Sequence, residues 1–352
     1  MIKTLPLILY LLFSTSSAVT TNAPRQWQNP AEKYANEYKK HLKARCPLPR
    51  NHIKHFVYFA RDREALQDHP LLHHPRLAGA QIMYTWKQLE PQAGRYDFSV
   101  IQADIDYLAK YEKKLFVQLQ DATFNPRFAA VPDDLKTSYY NGGVVPQRND
   151  RGVPTGWVAK RWNPQVQKRF AALLKAMGKT LDGQIEGINL QESAIGVDQD
   201  HASGFTPEKY RDAVQQNMLA LKKAFPTAVT LQYANFMPGE WRPWEDKGFL
   251  SSIYAFGNQR GIGLGAPDLM IRSKGQLNHG FALMHEHVYQ VPLGVAIQDG
   301  NYVGKTDTLE VKTQRQNLVP ALHSFAHQFL KVDYLFWGNQ APYFQEDLLS
   351  CL

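Results

Sequence analysis

The chain has 352 residues, 44% of them hydrophobic and 12% aromatic, with a formal net charge of +8. That length allows one large domain or two ordinary ones. The basic residues alternate with acids instead of clustering with aromatics, which argues against nucleic acid as a partner.

The chain opens on Met1 to Thr4 with one Lys, a short apolar run from Leu5 to Phe13, and the small residues Ser14 to Ala18. This order of basic, apolar and small regions predicts a secretory signal, residues 1–18, cut after Ala18. An uncleaved anchor is the competing reading, but a spanning helix wants about 20 apolar residues. No later stretch is apolar enough to cross a bilayer, so the expectation is a secreted or periplasmic protein with no stable membrane insertion after cleavage. Residues 19–51 read as a helical extension, with Tyr34 and Tyr38 on one face, that caps the domain at 52–352.

From His52 onward, short apolar runs alternate with longer helical patterns, which predicts βαβ units and a parallel sheet. Strands are expected at 53–59, 79–84, 115–120, 184–190, 228–233, 261–265, 293–297 and 333–336. Helices are expected at 99–111, 164–180, 207–224 and 309–330. The third of these opens on an N-cap Thr206, a Pro207 at the first helical position and an early acid, Glu208. Asn278-His279-Gly280 interrupts the sixth crossover. Eight strands with helical crossovers predict a closed (β/α)8 TIM barrel rather than an open doubly wound sheet. No G-x-G-x-x-G follows the first strand, which leaves no support for a dinucleotide fold.

The segment 121–162, rich in Pro, Gly, Tyr and Asn, follows the third strand. In a barrel it would lie over the carboxyl-terminal face, where active sites of such barrels form. The two cysteines, Cys46 and Cys351, lie near the two ends of the folded part. Closure of a barrel brings those ends together, so a Cys46–Cys351 disulfide is expected, with two free thiols as the alternative.

Trp86-Lys87-Gln88-Leu89-Glu90-Pro91, followed by Gly94, Tyr96, Asp97 and Phe98, resembles a segment after the second strand of clan-A glycoside hydrolases, the cellulase-like and β-galactosidase-like TIM barrels. The fourth strand ending in Gly187-Ile188-Asn189-Leu190-Gln191-Glu192, and the eighth ending in Phe336-Trp337, are similar to the same group. The resemblance implies a glycosidase in which Glu192 is the general acid/base and Trp337 lies beneath the sugar. The family pattern has Asn before this Glu, where this chain has Gln191. The residues make their own case for Glu192. A carboxyl partly desolvated at the end of an apolar strand has a raised pKa, which suits a general acid. Pairing with an Arg that fixes the loop is the structural alternative.

Clan-A enzymes place a nucleophilic Glu at the end of the seventh strand, but here that strand runs Leu293-Gly294-Val295-Ala296-Ile297-Gln298-Asp299. Asp299 is the expected second catalytic group, against a reading as a turn residue before Gly300. Trp86, Asp121, Gln191, Tyr233, Asp268, Gln298 and Trp337 are expected around the substrate. Phe236, Trp241, Trp244, Tyr302 and the aromatics of the third loop fall at or beyond strand ends, where flat rings with polar tips suit sugars. Met284-His285-Glu286-His287 is not a zinc motif, because its two His stand only two apart. Phosphate loops, Ser-His-Asp nucleophile motifs and cofactor boxes are absent, so no cofactor is expected. The function predicted is cleavage of a polysaccharide or oligosaccharide by an exported, monomeric glycosidase. The alternative is a barrel that binds carbohydrate without cleaving it, having lost the seventh-strand Glu. A metal-dependent hydrolase barrel fits least, since the strand ends offer amides and aromatics.

Overall fold

A computed structural model describes residues 28–197, 202, 204–304, 315 and 317–352. The expected signal segment and the first part of the helix at 309–330 lie outside the described residues.

Eight parallel strands close into a barrel: β1 (Lys54–Tyr58), β2 (Leu77–Thr85), β3 (Lys114–Gln120), β4 (Gly187–Leu190), β5 (Val229–Tyr233), β6 (Gly263–Ala266), β7 (Leu293–Ile297) and β8 (Tyr334–Gly338). Each pairs with its successor and β8 returns to β1, in the register Lys54 with Tyr334 through Tyr58 with Gly338. The strands are buried on both faces, which is why β7 reads as a continuous apolar run with every residue buried. Glycine makes close approach possible in β6. A Cβ on Gly265 would stand 2.1 Å from the Gly294 carbonyl oxygen of β7.

Crossover helices form the outer layer: α1 (Ser99–Ala109), α2 (Pro164–Leu181), α3 (Pro207–Ala224), α4 (Phe249–Arg260), α5 (Lys274–Asn278), α6 (Gly280–Glu286) and α7 (Leu318–Ser324). α3 starts as the sequence implies, with the Thr206 side chain accepting from the Lys209 N–H and Pro207 in the first turn. α4 had no forecast. It follows a Trp- and Pro-rich loop that masks its start, and it stops at Gly261 in the left-handed region. The Asn278-His279-Gly280 break divides the sixth crossover into α5 and α6. The last crossover passes from α7 into a π-helical turn, Phe325–Leu330.

Strand alternation sorts the core into two populations. Phe56, Tyr58, Met83, Phe116, Leu231, Tyr233, Ala296, Tyr334 and Phe336 pack together inside the barrel. The opposite strand faces, including Val57, Ile82, Val117, Ile188, Leu264, Val295 and Trp337, pack against the helices. A polar layer crosses the lumen, where Gln81 Nε2 donates to Asn189 Oδ1 at 3.0 Å and to Tyr233 Oη at 2.8 Å.

The N-terminal extension is two short helices, Pro30–Lys33 and Glu37–His41, rather than one long one. It is fastened to the crossover layer: Ala31 N–H donates to Asn278 Oδ1 at 2.7 Å, Tyr34 Oη to Glu286 Oε1 at 2.7 Å, and His41 Nδ1 lies 2.8 Å from Ser324 Oγ. Glu286 thereby takes a structural role. Cys46 and Cys351 form the expected disulfide across 305 residues of sequence. Arg76 reinforces that closure, its Nη1 donating to the Leu48 and Leu352 carbonyls at 2.8 and 2.7 Å.

The long segment after β3 contains a small antiparallel sheet of Ala122–Thr123, Val144–Arg148 and Pro154–Ala159. It is tied to the loop that follows β4. Arg148 N–H donates to the Gly196 carbonyl at 2.6 Å, and Gly196 N–H to Gln147 Oε1 at 3.0 Å.

Candidate active site

Glu192 sits two residues beyond the end of β4 and is 8% exposed. Its Oε2 accepts a 2.6 Å hydrogen bond from Asn235 Nδ2, which stands two residues past β5. Asn235 has no freedom to turn, because its Oδ1 already accepts from the Ala194 and Phe236 N–H groups at 3.2 and 3.0 Å. The amide therefore presents only its donor side to Glu192.

The backbone under Glu192 is held from behind. Arg161, on the segment leading into α2, forms a buried two-pronged pair with Asp121, at 2.8 Å from Nε to Oδ2 and 2.7 Å from Nη2 to Oδ1. Its Nη1 donates to the Glu192 carbonyl at 2.8 Å and to Tyr210 Oη at 2.7 Å. Tyr210 Oη in turn donates to the Ser193 carbonyl at 2.9 Å. Three segments thus fix one strand end.

Asp268 is the acid that acts on Glu192. Burial pushes Asp268 up to about 6, with the Asn301 side chain hydrogen-bonding its carboxyl and opposing the shift. Burial is also the main cause that pushes Glu192 up to about 8, the Asp268 charge adds to it, and Asn235 and Arg161 pull the other way. Both carboxyls are therefore raised by burial, Glu192 further than Asp268. The two titrate as a pair. Tyr58 and Tyr233 line the same end of the lumen. Burial raises both hydroxyls, and each feels the charge of Asp268.

An aromatic stack stands next to Asn235. Phe236 and Trp241 lie parallel, 5.7 Å between centroids and 3° between planes, with His279 packed 4.6 and 4.8 Å from each. Trp241 is 50% exposed. A ring this open, held flat by a second ring, presents an apolar face to solvent.

The structure brings Glu192, Asp268 and Tyr233 together at the carboxyl-terminal mouth. Gln298 continues the inward alternation of β7 through Gly294 and Ala296, and its N–H donates to Asn301 Oδ1 at 2.9 Å. Asp299 is exposed on the turn beyond it. Its charge acts on Tyr58, partial burial raises its own carboxyl, and it does not figure among the groups acting on Glu192.

Four residues expected around the sugar are placed elsewhere. Trp337 is fully buried on the outer face of β8, its Nε1 donating to His55 Nδ1 at 3.0 Å, because the strand alternation puts Phe336 and Gly338 inward. Trp86 is fully buried against Phe170, with its Nε1 on Glu90 Oε2 at 2.7 Å. Asp121 gives both oxygens to Arg161. Gln191 lies between the barrel and the helices, beside Phe170, Val214 and Asn217. The clan-A-like segment around Trp86 is likewise structural, since Glu90 Oε1 binds the Gly94 N–H at 2.8 Å and Arg169 Nε at 3.2 Å. Glu240 caps α4, accepting from the N–H groups of Lys247, Phe249 and Leu250. Nothing in the sequence distinguishes Arg161 and Tyr210 from surface residues. The sequence marks Asn235 and Asn301 only as amides at strand ends that could read hydroxyls.

Among the described residues, no three or more His, Cys, Asp or Glu side chains are grouped to hold a metal ion. Nor is any described helix long and apolar enough to cross a membrane.

No protein-family model matches the chain, and no curated protein matches it. Solved structures do. The catalytic domain of beta-amylase from Paenibacillus polymyxa superposes with a TM-score of 0.54 at 8% identity, covering 81% of this chain and 92% of that one. Endo-glycoceramidase II from Rhodococcus sp., in complex with a five-membered iminocyclitol, gives 0.51 at 9% identity over 82% of this chain and 73% of that one. Its lactosyl-enzyme intermediate gives 0.50 at 10% identity over 84% and 76%. At such identities the likeness is one of fold. That shared fold is the closed (β/α)8 barrel.

Proposed function

We propose that the protein is an exported glycoside hydrolase acting on a polysaccharide or oligosaccharide, with Glu192 as general acid. One observation carries the reading: a carboxyl at the end of β4, raised by burial to about 8 and held by Asn235, feels the charge of a second acid, Asp268. Protonation of a glycosidic oxygen needs such a group, an acid that still holds its proton at working pH. The Phe236–Trp241 stack supplies an adjoining surface for a sugar ring. Export accords with the Cys46–Cys351 disulfide, a bond that persists in oxidising compartments.

A second reading is favoured by the exposure of Asp299 and the inward Gln298. With no carboxyl at the seventh strand end, the barrel would bind a glycan and leave it intact. Incubation of the mature protein with a polysaccharide panel, with Glu192→Gln alongside, separates the two. Cleavage by the wild type and its loss in the variant supports the hydrolase. Binding of a glycan by both with cleavage by neither leaves a carbohydrate-binding barrel.

A further inference from the structure

We propose that Asp268, although it follows β6, is the second catalytic carboxylate of this site, the base that takes a proton from the water attacking the anomeric carbon. The proposal rests on the glycosidase reading and repairs its weak point, the absent acid on β7.

The backbone carries the argument. Past the end of β6 the chain bends across its neighbour: Asp268 forms an antiparallel bridge with Ile297, and Leu269 N–H donates to the Ala296 carbonyl at 2.9 Å. Asp268 is thereby pinned against the last residues of β7, where barrels of this type carry a Glu. Asn301, which follows β7, hydrogen-bonds the Asp268 carboxyl. Its own Oδ1 is occupied by the Gln298 N–H. The arrangement repeats the one at Glu192, where Asn235 is fixed by two backbone N–H groups and donates to the carboxyl. Both asparagines are 2% exposed. Two acids, each held by a buried amide that cannot turn, stand at the same mouth, and the charge of Asp268 reaches Glu192. Asp299 has no such support.

The charged surroundings fit a division of labour. Glu192 feels Asp268 and Arg161, and Arg161 is committed to Asp121 and Tyr210. Asp268 has Tyr58 and Tyr233 beside it, with Asp299 and Arg61 beyond Tyr58. The group that ionises first is the one fitted to be a base, and the one that holds its proton is fitted to be the acid. In the reaction, Glu192 gives its proton to the glycosidic oxygen as the bond from that oxygen to the anomeric carbon breaks. A water oxygen bonds to that carbon and loses a proton to Asp268. Glycoside and water become a sugar and an alcohol, and a proton passing from Asp268 to Glu192 through solvent restores the pair. Asp is one methylene shorter than Glu. A carboxyl set back in this way leaves room for the water that inverting glycosidases hold between base and sugar.

The test needs no identified substrate for its first arm. Protein carrying side-chain carboxyl-¹³C glutamate is titrated by NMR, with Glu192 assigned from the Glu192→Gln spectrum. Asp268→Asn should lower the Glu192 midpoint by about one pH unit or more, since it removes a nearby like charge. Asp268→Glu should keep the midpoint high, and Asp299→Asn should leave it in place. A midpoint indifferent to Asp268→Asn, or one that follows Asp299→Asn instead, overturns the pairing. In the second arm, Asp268→Asn should lose about 10²–10⁴-fold in kcat on whichever panel glycan the wild type cleaves, with its circular dichroism unchanged. The wild-type product should have inverted anomeric configuration. Retained configuration, or a variant near the wild-type rate, overturns the base assignment. Failure of the wild type to cleave any glycan sinks the hydrolase reading as well, whereas an unshifted titration sinks the pairing alone.

Discussion

At the scale of single residues, the site is a problem of holding one proton on the right carboxyl. Burial raises both Glu192 and Asp268, and the charge of Asp268 widens the gap between them. Activity should therefore rise through about pH 6 as Asp268 ionises and fall through about pH 8 as Glu192 loses its proton. A kcat/KM profile without these two limbs would contradict the assignment. Asn235 donates to the charged form of Glu192 and so opposes the shift. Asn235→Ala should move the basic limb further up, and a limb that moves down would show that the amide does not stabilise the carboxylate. The raised Glu192 also has a cost in stability. Its folded value lies above its unfolded one, so folding loses stability as pH rises from the ordinary carboxylate range to about 8. Glu192→Gln removes that loss, so its Tm should exceed the wild-type Tm at pH 9 and differ little at pH 4.

At the scale of elements, the end of β4 depends on groups that come from elsewhere in the chain. Arg161 arrives from the segment between the small sheet and α2, Asp121 from the end of β3 and Tyr210 from α3. Truncating Arg161 leaves Asp121 buried and unpaired, which typically costs about 3–5 kcal/mol. Arg161→Met should lower the urea midpoint accordingly, and activity should fall even where folding is complete, because the Glu192 carbonyl loses its donor. An Arg161→Met variant of wild-type stability would mean that the pair has no structural role. These dependences explain why the site was only partly legible in the sequence. Glu192 could be found because an apolar strand ends on it. Trp337 misled because its register in β8 turns it outward, and a one-residue change of parity reverses every side chain of a strand. The role of Asp268 was hidden because it depends on a loop crossing from β6 to β7.

At the scale of the whole molecule, closure is secured in two ways. The barrel joins β1 to β8 by hydrogen bonds, and the disulfide joins Cys46 to Cys351. In the loop-entropy account such a long closed loop stabilises the fold by about 3–5 kcal/mol. The Cys46→Ser, Cys351→Ser double variant should show that loss in equilibrium unfolding, and equal stability with and without reductant would contradict it. A chain of histidines lies near the same closure: His55 beside His323 at 5.5 Å, His323 beside His327 at 6.1 Å, and His327 beside His52 at 5.5 Å. Burial, with the neighbouring His adding to it, depresses His55 to about 3 and His323 to about 4. Their folded values lie below the unfolded one, so their contribution is present at neutral pH. It is lost as pH falls from about 6.5 toward 3–4. The urea midpoint should drop steadily over that window, and His323→Gln should flatten the slope.

Several features were determined by the sequence alone: the fold class, all eight strands, the start of α3 and the position of Glu192, with the disulfide the favoured of two readings of Cys46 and Cys351. Each rests on local pattern or on a simple consequence of closure, since apolar runs of strand length bounded by helical stretches admit few arrangements. The tertiary structure decided which acid stands opposite Glu192, which aromatics face solvent, and why Asp121, Glu90 and Glu240 are supports. Those outcomes depend on strand parity, on where a loop crosses its neighbour, and on which buried donors each carboxylate meets. They are properties of packing between segments far apart in sequence, and no local pattern carries them.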